Sequence, residues 1–135
     1  MKIGELARRA EISAHTIRYY ERIGLLPRAD RDGGGRRDYD GSTLVWLEFL
    51  GRLKTTGMPI RDMLRYAAMR AAGPATERER HDLLVAHRDR VRAHVAALQS
   101  CLAVLDTKIT GYASNLTNEA KDDDALPNQL RKPLR

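Results

Sequence analysis

"IGELARRAEISAHTIRYYERIGLL", residues 3–26, is the stretch on which the fold turns. Ile3, Leu6, Ala7 and Ala10 fall at i, i+3, i+4 and i+7, the spacing of a short amphipathic helix. "EIS" interrupts it, and Ser13 is placed to cap a second helix running to about Glu21 or Arg22. Gly24 closes that helix, and Leu25, Leu26 and Pro27 begin an extended segment. Two short helices joined by a tight turn make a helix-turn-helix. The second helix holds Tyr19 and Tyr20 side by side, although only seven residues of the chain are aromatic. Adjacent helical positions point about 100° apart, so the two rings cannot face one core. Tyr20, three residues after Ile17, is the better placed to turn inward, which leaves a second hydroxyl for a partner outside the core.

Downstream, "PRADRDGGGRRDYD" (27–40) is a charged hairpin with three glycines at its tip and short strands on either side. It reads either as a wing that lays arginines along a duplex or as a solvated loop. Ser42 or Gly41 is expected to open a third helix, with Leu44, Leu47, Leu50 and Leu53 as its apolar face and Trp46 and Phe49 broadening it. Gly57 ends it. A fourth helix follows with Pro59 near its first turn, Ile60, Met63, Leu64, Ala67 and Ala68 inward, and Gly73-Pro74 as its stop. From about Thr76 the period changes. Leu84, Arg88, Val91, Val95, Leu98, Leu102, Leu105, Ile109 and Tyr112 alternate steps of four and three, a heptad seam broken only by Arg88. One long helix cannot bury such a stripe alone, and a second copy of the chain is the simplest partner. Residues 113–135 are expected to form a mobile tail, with Gly111 and Asn115 marking the frayed helix end.

Charge supports a division of labour. Residues 1–73 carry 14 Lys/Arg against 9 Asp/Glu, and residues 74–135 carry 10 against 9, so most of the net +6 lies in the first half. A polyanion is the natural partner for that half. One cysteine, Cys101, permits no intrachain disulfide, and no signal peptide or stretch of about 18 apolar residues is present, so a cytoplasmic protein without membrane contact is expected. An enzyme has little support. No nucleophile lies beside a base, and "GGG" lacks the strand–glycine–helix setting of a nucleotide site.

The ordered set "TIRYYE", "GLL", "GRRDY" and "LEFLGRLKTTGMPIRDM", followed by a coiled coil, resembles the MerR family of bacterial transcription regulators over roughly residues 1–112. The resemblance implies a mainly α fold. A winged helix-turn-helix DNA-binding domain with a small β-hairpin wing (1–73) is followed by a dimerisation helix (76–112), antiparallel in the homodimer. It also implies promoter DNA, a second copy and RNA polymerase as partners, and no cofactor. Members bind a palindromic promoter with an over-long spacer and bend and untwist it. By this likeness Arg18 reaches a base edge or phosphate, one hydroxyl of Tyr19 and Tyr20 meets a phosphate, and Arg37 and Tyr39 reach the backbone from the wing. His15 and Thr16, at the exposed start of the recognition helix, are further candidates. Arg36 stands where the family often has an aromatic, which adds charge to the wing. The seam residues Leu84, Val91, Val95, Leu98, Leu102, Leu105, Ile109 and Tyr112 are the dimerisation set. Glu11 stands where glycine is common in the turn. If that position is left-handed, Glu costs roughly 1 kcal/mol relative to Gly.

Effector chemistry is sparse. A single cysteine excludes a thiolate cage within one protomer, and the third helix has no cysteine for electrophile sensing. His87, His94 and Cys101 repeat every seven residues, but successive members lie about 10.5 Å apart along a helix, and flanking coiled-coil positions are the preferred reading. Trp46, Tyr66 and Met69 would line an effector groove if one exists, and are otherwise core. Asp122, Asp123 and Asp124 are read as solvated tail rather than a cation site. Effector-independent repression or DNA architecture is the alternative to effector-controlled transcription.

Overall fold

The computed structural model describes residues 1–121. Helices α1 (Ile3–Ala10) and α2 (Ala14–Ile23) precede a hairpin of β1 (Asp30–Arg31) and β2 (Arg37–Asp38). Helices α3 (Gly41–Thr55) and α4 (Ile60–Ala72), a 3₁₀ turn at Pro74–Thr76, and α5 (Glu77–Lys121) complete the order. None of these helices is long and apolar enough to cross a membrane.

Local chemistry sets each junction. α1 ends at Glu11, which is left-handed (φ 57°, ψ 39°) and lets the Ile12 amide reach back to the Ala7 carbonyl at 3.1 Å. Ser13 then caps α2, its hydroxyl accepting from the Thr16 amide at 3.0 Å. Gly24 (φ 86°) closes α2, and the amides of Leu25 and Leu26 both bond the Tyr20 carbonyl. The hairpin is antiparallel, pairing Asp30 with Asp38 and Arg31 with Arg37. Its tip is tied by Asp32 Oδ1, which accepts from the amides of Gly34 and Arg36 at 2.9 Å each. Gly41 opens α3, and Asp40 caps it by accepting from the Ser42 amide at 2.9 Å. A carboxylate there also complements the positive end of the helix.

The core lies where α1, α2, α3 and α4 meet. Leu6, Ile17, Leu25 and Leu50 are fully buried, with Leu26, Trp46, Leu47, Leu53, Met58 and Met63 around them. Two residues expected inward on α4 are exposed instead, Ile60 and Ala68. Ile60 stands at the first position of α4, before the helix settles on α3. Trp46 and Tyr66 are built into the fold. The indole N–H donates to the Leu25 carbonyl at 3.0 Å, and the rings stack at 5.9 Å with 15° between planes. Arg70 sets its guanidinium 4.3 Å from the Trp46 ring centroid.

The chain divides into two compact units, Met1–Val91 and a second beginning at Arg92. The long helix α5 begins at Glu77, next to the expected boundary at residues 73–76, and its first turns belong to the first unit. Leu83 and Leu84 pack against the first unit's core, and His87 is buried with Nε2 2.7 Å from the Thr56 hydroxyl. Leu84 is thus partly buried within its own protomer, and His87 is occupied by Thr56 rather than held as a flanking coiled-coil position. In the second unit α5 continues through Gly111 and Asn115 to Lys121, so the tail expected from residue 113 is helical at its start. A lone glycine costs an established helix only about 1 kcal/mol, too little to end it. Asp122, Asp123, Asp124 and the rest of that segment lie outside the described residues.

Candidate nucleic-acid interface

One face of α2 is left to solvent. His15, Arg18, Tyr19 and Arg22 are all exposed, at i, i+3, i+4 and i+7, while Ile17, Tyr20 and Glu21 turn towards the protein. The tyrosine pair is split as its spacing suggests: Tyr20 packs against the core and Tyr19 stands out at 41% exposure. Their ring centroids are 6.2 Å apart, and Arg22 places its guanidinium 5.3 Å from the Tyr19 ring. Arg22 thereby braces the outer ring and adds charge over its face. Thr16 is half-buried, with its hydroxyl 2.9 Å from that of Ser13. It is part of the helix cap as well as of the exposed N-terminal turn.

The wing returns alongside α2. Arg18, Arg22, Arg28, Arg31 and Arg37 surround an open groove of about 380 Å³, with Glu21 and Ala29 in its wall. Five guanidinium groups share it with one carboxylate, an excess of four positive charges. Such a concave cationic surface suits a phosphate backbone, because arginine offers a planar fork of donors to phosphate oxygens. Arg36 is exposed on the wing outside this group.

Tyr39 does not take the place expected of it. It is 3% exposed, its hydroxyl donates to Glu21 Oε1 at 2.8 Å, and its amide bonds the Met1 carbonyl at 2.7 Å. Burial, reinforced by the neighbouring Glu21 carboxylate, holds its phenol protonated well beyond the ordinary range. A side chain so enclosed cannot reach a phosphate; it joins the wing to α2. The reason is position. Tyr39 follows β2 directly, where the chain turns into α3 and one face is already covered.

Arg22, Arg28 and Arg31 are the residues that sequence reasoning missed. Arg22 could have been found from its i+4 relation to Arg18. Arg31 required the strand register that sets it opposite Arg37, and Arg28 required the path of the extended segment. Among the described residues no group of three or more His, Cys, Asp or Glu side chains is placed to hold a metal ion.

The family model described as "MerR HTH family regulatory protein" matches residues 1–69. An HTH-type transcriptional regulator of Haemophilus influenzae is 37% identical over 106 residues, covering 78% of each chain. A MerR family transcriptional regulator structure from Listeria monocytogenes superposes with a TM-score of 0.83 at 32% identity, over 90% of this chain and 92% of that one. HiNmlR, described as a MerR family regulator lacking the sensor domain and bound to promoter DNA, gives a TM-score of 0.77 at 34% identity, over 86% and 92%.

Proposed function

Because the chain belongs to the MerR family of helix-turn-helix transcription regulators, we propose that it acts as a homodimer on a palindromic promoter. The single observation that carries this reading is the arginine groove shared by α2 and the wing. His15, Thr16, Arg18 and Tyr19 are offered to a DNA groove from the recognition helix. Arg22, Arg28, Arg31, Arg36 and Arg37 track the flanking phosphates. The likeness to HiNmlR, a neighbour described as bound to promoter DNA, supports a DNA-binding role.

The dimer joins two such surfaces through the seam of α5. Engaging both half-sites of an over-long spacer requires the duplex to bend and untwist, at a deformation cost of roughly 1–6 kcal/mol offset by phosphate contacts. Realigned promoter elements then present RNA polymerase with a usable site. An unidentified effector or stress would control the step. A second reading, binding without an effector, is favoured by the likeness to HiNmlR, a regulator described as lacking a sensor domain. In vitro transcription with candidate inducers separates the two: only the first reading requires output to change while the protein stays bound.

Selection of genomic fragments by the pure protein supplies the operator and its spacer length. On that operator, Arg18→Ala should weaken specific binding by about 1–3 kcal/mol. Unchanged affinity would remove α2 as the recognition helix.

A further inference from the structure

Glu21 is a carboxylate buried within a cationic surface, and contact with DNA gives it no task. Burying a carboxylate is costly unless it is paired and hydrogen-bonded. Here two hydrogen bonds and an ion pair meet it. Oε1 accepts from the Tyr39 hydroxyl at 2.8 Å and lies 3.0 Å from Arg37 Nε, while Oε2 accepts from the Ala29 amide at 3.1 Å. Ala29 precedes β1, Arg37 is in β2 and Tyr39 follows it, so one side chain of α2 holds both legs of the wing. Two-residue strands cannot fix a hairpin in place by themselves.

The Arg37 contact is an ion pair, closest at Nε. Glu21 Oε1 lies 3.0 Å from Nε, and among the described residues no hydrogen bond engages the two Nη nitrogens. Arginine's planar fork lets one edge be held while another binds an anion, which lysine's single ammonium cannot do.

We infer that Glu21 is a positioning residue for DNA binding, docking the wing on the recognition helix and holding Arg37 so that its outer edge meets a phosphate. This rests on the DNA-binding reading above. A glutamine at position 21 cannot accept from both Arg37 and Ala29 without turning its own N–H groups on one of them.

The test measures operator affinity of the full chain across a salt series. Glu21→Gln should weaken binding about tenfold and make the slope of log K against log[salt] shallower by about 0.9, the loss of one phosphate contact. Arg37→Gln should do the same, and the double variant no more than either alone. If Glu21→Gln instead tightens binding with a steeper slope, the carboxylate merely opposes DNA and the inference is overturned. Arg37→Lys, which keeps the charge at a partly exposed position, guards against a folding defect in the first variant. It should lose the slope contribution despite keeping its charge, and native-like binding by it overturns the inference. Arg18→Ala separates the levels. If it weakens binding while Glu21→Gln and Arg37→Lys do not, Glu21 alone loses its role; if none of them matters, the DNA-binding surface itself is misplaced.

Discussion

At the scale of single residues, the backbone of Glu11 is the most exposed weakness. It is the only non-glycine residue with positive φ among those described, and left-handed geometry crowds a Cβ against the following carbonyl oxygen. Its side chain is exposed, so packing does not compensate. Glycine removes the strain but also enlarges the entropy of the unfolded chain. Glu11→Gly should therefore stabilise the fold by a net amount of about 0.5–1 kcal/mol, seen as a higher urea midpoint with unchanged slope. A lower midpoint would mean the turn is not under strain. This position was marked by the resemblance, because glycine is common there in the family. Tyr20 was legible from spacing, three residues from Ile17. Tyr39 was not, since an aromatic at the end of a two-residue strand has no periodicity from which its direction can be read.

At the scale of the element, the wing depends on its tip carboxylate. Lys2 Nζ pairs with Asp32, and the amides of Arg36 and Gly34 add hydrogen bonds to the same carboxylate. Led by the Lys2 contact, these hold its pKa at about 2, below the ordinary 3.8. A depressed carboxylate stabilises the fold above its unfolded value and loses that contribution as pH falls through the folded one. The wing tip should thus be intact at neutral pH and loosen between pH 3.8 and about 2. The Gly34 and Arg36 amide shifts followed by NMR should report a midpoint near the lower limit, and Asp32→Asn should abolish that transition. A midpoint at the ordinary carboxylate value would show that the tip network does not hold in solution. The hairpin itself was evident from its glycines, whereas the register that brings Arg31 opposite Arg37, and so fills the groove, depends on where pairing starts.

At the scale of the whole molecule, the four-and-three spacing that suggests a dimer seam is local and so readable in the sequence, whereas the partial burial of Leu84 against the first unit's core depends on tertiary packing. Leu116 extends the exposed stripe by another step of four beyond Tyr112. From Val95 to Leu116, seven seam residues (Val95, Leu98, Leu102, Leu105, Ile109, Tyr112 and Leu116) stand 40–65% exposed on a single chain. Covering half-exposed side chains of this size yields about 1 kcal/mol each, enough to drive association of two helices. Leu98→Asp places a carboxylate in the middle of that stripe, where an unpaired buried charge costs about 3–5 kcal/mol. Sedimentation should then find monomers, with operator binding lost in parallel because two half-sites need two linked recognition helices. Val104→Asp is the matched control: Val104 is 64% exposed and off the seam, so a charge there should leave the dimer intact. Dimers persisting in Leu98→Asp, or vanishing equally in both variants, would show that the stripe is not the surface that joins the chains.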